Sequence, residues 1–316
     1  MPFYILNTLK INMSLTVKIL GCGSALPTTY RNASAQTVEH NGKVFLVDCA
    51  EATQIAMRKA NIRFTAVNNI FISHLHGDHY FGLFGLLSSF ALNGRKQPIT
   101  IHCPERLKQM LLSEFSPIEI DELGFELKFN VLNPKGINLI YEDRTFEVYS
   151  VPLKHRIPVW GFIFKEKLAQ RNIEKSCIQK YGLSIAEIVR IKAGSDLYLE
   201  DGTVISNSEL TLDPPKPKSY AYISDTVKTD LAAEAVRGVD VLYHEATYEA
   251  ALEKRAKETF HCTTLQAAKT ALKANVGKLV LGHFSSRYQS TEMLKTEAQT
   301  VFENTVCAFD GMELEI

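Results

Sequence analysis

The sequence predicts an α/β protein made of two similar halves, each a β-sheet with the helices that cover it. Short apolar runs of strand length alternate with longer runs of helical spacing. Most of the apolar runs end in Gly, Cys, Asp or His, where a strand gives way to a loop. The same alternation returns near the end of the chain, after a more polar segment. We therefore expect polar residues from both halves to meet at one edge, where the strand ends gather.

The elements of the N-terminal half can be assigned from these patterns. Four strands are predicted in the segments TVKILG, VFLVDC, NNIFISH and PITIHC. Helices are predicted in EATQIAMRKA and PERLKQMLLSEF, and the second begins with a proline, which is favoured in the first turn of a helix.

The C-terminal half begins after EDRTFEVYSVPLKH and WGFIFKEK, where residues 165–192 are more polar. The segment LDPPKPKSY indicates a loop. Strands are then predicted in AYISD, DVLYHEA and KLVLGH, and TLQAAKTALKANVG predicts an amphipathic helix that ends at a glycine.

The composition is that of a globular protein in a reducing compartment. Of its 316 residues 46% are hydrophobic and 22% are charged, and the formal net charge is zero, so nucleic-acid binding would need a local basic surface. The six cysteines form no Cys-x-x-Cys pair, and no apolar run reaches the 18 or so residues of a membrane span. The first residues lack the features of a signal peptide. We expect a cytoplasmic protein, with no membrane association, that has an N-terminal extension (1–14) and one domain (15–316).

The segment HLHGDH places three histidines and an aspartate at the end of an apolar strand. His74 and His76 are two residues apart, so in extended structure they point the same way. Gly77 allows a turn, after which Asp78 and His79 can face a second position. Nitrogen and carboxylate ligands without thiolate suit Zn²⁺, with Mn²⁺ and Fe²⁺ as alternatives. The buried strand before the segment argues against a histidine-rich surface loop.

Three later residues, each at the end of a predicted strand, complete a set of seven ligands. They are His155 in PLKHRIP, Asp225 in AYISDT and His283 in VLGHFSSR. Any one of them alone would be an ordinary surface or capping residue. Together with the first cluster they predict two Zn²⁺ per chain, bridged by Asp225. The first ion is assigned His74, His76 and His155, and the second Asp78, His79 and His283.

With these ligands the motif resembles that of the metallo-β-lactamase superfamily, and more narrowly that of the ribonuclease Z family of tRNA 3′-processing endoribonucleases. HEATY, at 244–248, matches the family's His-Glu-Ala-Thr motif. HCTT, at 261–264, is similar to its His-Ser-Thr loop, with Cys262 in place of serine. PTTYRN, at 27–32, resembles its Pro-x-Lys-x-Arg-Asn loop, with Thr29 in place of lysine. The resemblance extends over most of the chain from about residue 15.

The resemblance implies a four-layer αββα sandwich with a protruding exosite arm, inserted at about 165–212. It implies zinc-dependent endonucleolytic removal of the 3′ trailer from precursor tRNA, which leaves a 3′ hydroxyl on the tRNA. It also implies a homodimer in which the arm of one subunit holds tRNA for the other. Residues 165–192 carry seven Lys or Arg against three Glu, a net charge of +4, which suits phosphate binding. The alternative for this segment is an ordinary solvated helix pair.

Catalytic and substrate-binding roles are implied in the same way. Asp78 would accept or orient the proton of the nucleophile, and the alternative is a pure ligand. His261 would stabilise charge or protonate the leaving 3′ oxygen, with Glu245 orienting it, and the alternative is a structural hydrogen bond. The implied substrate-binding residues are Arg31, Asn32 and Thr263.

Two other functions stay open from the sequence. One is a superfamily hydrolase of small phosphodiesters or esters, which would cleave short substrates with a higher kcat/KM than folded precursor tRNA. The other is an inactive RNA-binding relative. The complete ligand set argues against it, because buried ligands are costly to keep without metal.

Overall fold

A computed structural model of the chain describes residues 15–115 and 123–316. The predicted N-terminal extension, residues 1–14, lies outside the described residues. The strands are β1 Thr16–Gly21, β2 Gly23–Ser24, β3 Ala35–His40, β4 Lys43–Val47, β5 Val67–Phe71, β6 Ile99–Cys103, β7 Leu127–Val131, β8 Asn138–Glu142, β9 Phe146–Pro152, β10 Trp160–Glu166, β11 Asn172–Ile173, β12 Leu197–Tyr198, β13 Val204–Ile205, β14 Thr211–Leu212, β15 Ser219–Ile223, β16 Val241–Glu245, β17 Lys278–Gly282, β18 Phe284–Ser285, β19 Thr305–Cys307 and β20 Glu313–Glu315.

The α-helices are α1 Thr53–Lys59, α2 Gly77–Tyr80, α3 Gly82–Leu92, α4 Glu105–Glu114, α5 Lys175–Tyr181, α6 Ile185–Lys192, α7 Asn207–Leu210, α8 Asp230–Ala235, α9 Glu253–Thr259, α10 Thr264–Ala274 and α11 Glu292–Gln299. Two short 3₁₀ helices cover Phe64–Ala66 and Ala250–Leu252. In the described part of the chain, none of the helices has both the length and the apolar content needed to cross a membrane. All six cysteines are free thiols.

Within the described residues, two seven-stranded sheets are the main feature. The first sheet has the order β20-β1-β3-β4-β5-β6-β7, and β4, β5, β6 and β7 run parallel. The second has the order β19-β17-β16-β15-β10-β9-β8, and β15, β16, β17 and β19 run parallel. Parallel strands bring their carboxyl ends to one edge of a sheet, so residues that follow several strands become neighbours.

Buried aromatic side chains fill the space between the two sheets. Phe45 and Phe71 of the first sheet contact Phe164 of the second, with ring centroids 6.1 and 5.6 Å apart. Phe71 also meets Phe162 edge-on at 5.4 Å. Side chains of a strand alternate between its faces, so the neighbouring residues of these strands point away from this shared core.

Helices cover the outer faces of both sheets. On the first sheet, Leu46 and Ile70 pack in one buried cluster with Leu83 and Leu87 of α3 and Leu107 of α4. On the second sheet, α10 contacts β16 and β17 through a face of buried alanines and threonines. The order of layers is therefore helix, sheet, sheet, helix, which confirms the αββα sandwich predicted from the sequence.

The chain divides into two compact units. The larger contains the described residues up to Tyr141, together with Val148–Phe164 and Ser219–Ile316. The smaller comprises Glu142–Glu147 and Lys165–Lys218, and so includes the insertion predicted at about 165–212. The smaller unit has a buried cluster of its own, formed by Cys177, Leu183, Ile191, Leu197 and Leu210.

The positive charge of residues 165–192 is partly neutralised inside the smaller unit. Lys167 forms ion pairs with Glu142 and Glu147, and Arg171 forms one with Asp213. The rest of the insertion is acidic, with carboxylates at Asp196, Glu200, Asp201 and Glu209. The other basic residues of the segment are Lys165, Lys175, Lys180, Arg190 and Lys192.

Candidate metal centre

The seven predicted ligands follow strands of both sheets. The HLHGDH segment follows β5, and its last residues form the short helix α2. His155 follows β9, Asp225 follows β15 and His283 follows β17. The two stacked sheets therefore bring side chains from distant parts of the sequence into one cluster.

The first group in this cluster consists of His74, His76, His155 and Asp225, whose ligand atoms all lie within 4.8 Å of one another. His76 Nδ1 is 3.0 Å from His74 Nε2 and 3.3 Å from His155 Nε2. Asp225 Oδ2 is 3.5 Å from His74 Nε2 and 3.9 Å from His155 Nε2. Three imidazole nitrogens and one carboxylate oxygen thus converge on one point.

The second group consists of Asp78, His79 and His283. The Nε2 atoms of the two histidines are 3.3 Å apart, and Asp78 Oδ2 is 3.6 and 3.5 Å from them. Asp225 Oδ1 is 3.4 Å from His79 Nε2 and 3.2 Å from His283 Nε2. Because Asp225 turns one oxygen to each group, its geometry is that of a bridging ligand.

Outer hydrogen bonds fix which nitrogen of each histidine is free to bind a cation. His79 Nδ1 donates to Asp48 Oδ2 at 2.7 Å. His283 Nδ1 donates to Thr247 Oγ1 at 3.0 Å, since the Thr247 hydroxyl itself donates to Glu245 Oε2 at 2.9 Å. Both Nε2 atoms are thereby left facing each other, 3.3 Å apart, at a point where both rings could bind one cation.

The first group is arranged in the same way. His155 Nδ1 donates to the carbonyl of Phe260 at 2.9 Å, and His74 Nδ1 donates to Ser73 Oγ at 3.0 Å. Burial lowers the pKa of His74 to about 4, so its Nε2 is unprotonated near neutral pH. Paired imidazole and carboxylate donors of this kind fit divalent metal ions, Zn²⁺ among them.

The electrostatics of the cluster also favour cations. Burial alone would raise the pKa of Asp225, but His283, His79 and His74 together lower it well below its usual range. Burial alone would lower the pKa of His79, but Asp225, Asp78 and Asp48 outweigh this effect and raise it. The carboxylates are therefore ionised and attract positive charge to the space between the ligands.

Asp48 is the buried site residue that the sequence analysis missed. It follows β4 and accepts hydrogen bonds from Ser73 N at 2.7 Å, Ser73 Oγ at 2.9 Å, His79 Nδ1 at 2.7 Å and the Tyr222 hydroxyl at 2.7 Å. Its φ of 54° is in the left-handed region, as is the φ of 57° at His283. Such backbone conformations persist where the surroundings hold them, and they often mark functional sites. The available signal was that VFLVDC, like the ligand-bearing strands, ends in a polar residue.

Glu245 holds His261 next to the ligands. Glu245 Oε1 accepts from His261 Nδ1 at 3.0 Å and also from the backbone N–H groups of Thr226 and Cys262. Burial lowers the pKa of His261, but Glu245 and nearby carboxylates outweigh it and raise that pKa to about 9. His261 is therefore protonated near neutral pH in this environment.

His261 could also be considered as a ligand, because it forms a third group with Asp225 and His283. Its Nδ1 is 4.0 Å from Asp225 Oδ2. That nitrogen is committed to Glu245, which leaves Nε2 as the atom available to the cleft. This arrangement suits contact with a substrate better than it suits coordination.

A cleft of about 560 Å³ opens beside the cluster and gives a substrate access to it. Its lining includes Asp78, His155, His261 and His283, together with Arg156. The Arg156 guanidinium donates to the carbonyl of Glu258 at 2.7 Å, which holds a positive charge at the wall of the cleft. The same lining contains the carboxylates of Glu51, Asp78 and Asp225, so the cleft combines groups of both charges.

The three predicted substrate-binding residues, Arg31, Asn32 and Thr263, do not belong to the lining of this cleft. Arg31 is buried and donates to the carbonyl of Tyr288 at 3.3 Å. Asn32 Nδ2 donates to the carbonyl of Leu20 at 3.0 Å. Thr263 caps the N-terminus of α10 with its hydroxyl. These contacts are structural, and the role of the three residues in substrate binding stays a prediction.

Known proteins resemble this chain over nearly its whole length. It is 42% identical over 300 residues to Ribonuclease Z of Phocaeicola vulgatus, covering 95% of this chain and 97% of that protein. It is 43% identical over 300 residues to Ribonuclease Z of Parabacteroides distasonis, covering 95% and 98%. A model of the family described as "Anti-Pycsar protein Apyc1" matches residues 15–168, less than half of the chain.

Solved structures show the same relationship. The crystal structure of human tRNase Z, short form (ELAC1), is 27% identical, with a TM-score of 0.68 over 95% of this chain and 98% of that one. The metallo-β-lactamase fold protein YhfI from Bacillus subtilis also has a TM-score of 0.68, over 96% and 99%, at 17% identity. The second likeness concerns the fold alone.

Proposed function

The chain belongs to the ribonuclease Z family, and from this premise we propose how its metal centre acts on precursor tRNA. The protein is a metal-dependent endoribonuclease of tRNA 3′ processing. The reaction removes the 3′ trailer and leaves a 3′ hydroxyl on the tRNA. The observation that supports this chemistry most strongly is the pair of ligand groups around Asp225, with His261 held beside them by Glu245.

We propose two zinc ions per chain, bound by the two ligand groups with Asp225 between them. When bound, two such cations activate a water molecule and neutralise charge on the phosphodiester. The first ion would be held by His74, His76 and His155, and the second by Asp78, His79 and His283.

Asp78 is proposed to orient the attacking water and to accept a hydrogen bond from it, besides acting as a ligand. Its Oδ2 is fixed by the backbone N–H of Ala25 at 2.7 Å. Burial would raise the pKa of Asp78, but His79 and His283 lower it, so the carboxylate is ionised near neutral pH. An ionised carboxylate at the lining of the cleft can accept a hydrogen bond from a water molecule there.

His261 is proposed to protonate the leaving 3′ oxygen. Burial alone would lower the pKa of the ring, but Glu245, which accepts a hydrogen bond from Nδ1, raises it, so that Nε2 also carries a proton. A protonated imidazole donates to the leaving group in general acid catalysis. Arg156, at the wall of the same cleft, adds a positive charge next to the phosphate.

We propose further that residues 165–212 form the arm that binds tRNA, and that the protein is a cytoplasmic homodimer in which each arm serves the partner's site. The compact smaller unit with its own buried cluster supports a separate role for this insertion. The lysines and arginines at 175–192 are suited to backbone phosphates.

The purified protein should be assayed on a precursor tRNA with a 3′ trailer and on bis(p-nitrophenyl) phosphate. We expect a single cut that yields tRNA with a 3′ hydroxyl, with a higher kcat/KM for the precursor. A variant such as Asp225→Asn is the control for contaminating nucleases. A higher kcat/KM for the small phosphodiester would favour the alternative function, hydrolysis of small esters, and would contradict this proposal.

A further inference from the structure

A second cavity, of about 620 Å³, adjoins the metal centre. His76 lines both this cavity and the cleft. The segment that follows His155 also contributes to both spaces. Arg156 lines the cleft, whereas Ile157 and Pro158 line the second cavity. A chain of nucleotides with one phosphate in the cleft therefore has this cavity within reach.

The lining of the second cavity is apolar and aromatic, with polar groups from a few residues. Trp160 is buried, and its indole N–H donates to the carbonyl of Asn133 at 2.8 Å, so the ring is held as a fixed wall. Tyr80 packs against the rings of Phe81 and Phe84. Met110 belongs to the same lining, which is mostly apolar.

Besides His76, two charged residues of this lining belong to a helix that begins at the cavity. Glu105 and Arg106 occupy the first turn of α4, and both side chains are exposed. A guanidinium and a carboxylate next to an apolar hollow offer hydrogen bonds to the edge of a heterocycle, whereas a purely aliphatic ligand would leave both unused. The volume is within the usual range of small-ligand sites, about 300–1,000 Å³.

We propose that this cavity binds one unpaired nucleobase of the RNA, from a nucleotide next to the scissile phosphate. The inference rests on the proposed function. Single-stranded bases that are splayed from a chain are held by aromatic and arginine side chains and by hydrogen bonds to their edges. The cavity would thus position the strand, with the phosphate in the cleft and the neighbouring base against Tyr80 and Trp160.

The test uses precursor tRNAs with an abasic nucleotide on either side of the cleavage site. The readout is the ratio of kcat/KM for the intact precursor to that for each abasic precursor, because a ratio cancels any general loss of activity. For the wild-type enzyme we expect a ratio of about 10 or more at one of the two positions, in line with the usual contribution of a stacked base.

The variant Val131→Trp fills the cavity from its half-buried rim, where Val131 is 39% exposed. Leu139→Trp is the matched control, since Leu139 is 47% exposed and is not part of the cavity lining. We expect the ratio to approach 1 in Val131→Trp and to stay at the wild-type value in Leu139→Trp.

Two results would overturn the inference while leaving the proposed function intact. One is a wild-type enzyme that cleaves intact and both abasic precursors equally well, as expected if the cavity binds a protein segment instead. The other is a Val131→Trp variant that keeps the wild-type ratio. A wild-type enzyme that cleaves no precursor at all would contradict the proposed function itself, and the inference with it.

Discussion

The chemistry of the centre depends on which nitrogen of each histidine carries a proton. His79 and His283 donate from Nδ1 to Asp48 and Thr247, which leaves Nε2 free in both. His261 Nδ1 likewise donates to a carboxylate, that of Glu245, which raises the pKa of the ring to about 9 although burial alone would lower it. His261 differs in its orientation, because the nitrogen that lies 4.0 Å from Asp225 Oδ2 is Nδ1, which is already bonded to Glu245. Ligand and acid are therefore distinguished by which ring nitrogen faces the ligand groups.

His261→Ala should leave the metal content unchanged and lower kcat, because the residue acts on the phosphate and not on the ions. General acid catalysis is usually worth about 10²–10⁴-fold in rate. Metal analysis and single-turnover kinetics on the same preparation check this. Loss of metal from the variant would show that His261 is a ligand or a scaffold residue.

Asp48→Asn should weaken metal binding although Asp48 contacts no ion. The amide is neutral and has one acceptor oxygen, so it cannot accept from Ser73 N on one atom and from His79 Nδ1 on the other, as the carboxylate does. Loss of such outer partners typically costs about 10–100-fold in metal affinity. Titration with a competing chelator measures the affinity. Tyr222→Phe, which removes one hydrogen bond to the same carboxylate, should cause a smaller loss. Equal and unchanged affinities in both variants would refute the role of Asp48.

At the level of residues, the sequence was informative where the signal is local. The HLHGDH segment has four ligand-type residues at spacings that suit two sites, so those residues could be singled out directly. Asp48 could not, because its importance arises when Ser73, His79 and Tyr222 converge on it from three other segments. The same limit applies to Arg31, whose burial is a property of the fold and not of its loop.

At the level of elements, the ends of the strands determine where the ligand residues lie. Strand identity could be predicted from apolar runs, but the pairing of β15 with β10 and β16 has no local signal. The insertion was predicted from the family resemblance together with the positive charge of residues 165–192. The smaller unit has somewhat wider bounds, and within it Glu142 and Glu147 pair with Lys167. Long-range ion pairs of this kind cannot be foreseen from a charge count.

Replacing residues 168–216 by a short Gly/Ser linker should spare metal binding and raise KM for precursor tRNA. The strands β10 and β15 stay complete, and their ends are already close, since Glu166 N donates to Lys218 O at 2.9 Å. Without the lysines and arginines of the insertion, the affinity for tRNA should also depend less steeply on salt.

The measurements are KM for precursor tRNA at several salt concentrations and turnover of bis(p-nitrophenyl) phosphate. Normal processing of tRNA by the shortened protein would contradict the proposed arm. Equal loss of both activities would instead make the segment part of the catalytic fold.

At the level of the whole molecule, the two sheets act as one platform for the site. The repeated alternation of strands and helices predicted two similar halves, and the αββα order followed from the family resemblance. What the sequence could not show is how closely the halves approach, which the packing of Phe71 against Phe162 and Phe164 determines. This packing brings the strand ends of the two sheets close together. Asp225, which follows a strand of the second sheet, therefore lies near histidines that follow a strand of the first sheet.

The central claim is a pair of metal ions held together by Asp225, and metal content measured against activity tests it most directly. Fully active protein should contain two zinc ions per chain, and chelation should abolish cleavage of precursor tRNA. Asp225→Ala should lose more metal than His283→Ala, because Asp225 faces both ligand groups and His283 faces one. One ion or none in fully active protein, or equal metal loss in the two variants, would contradict the account.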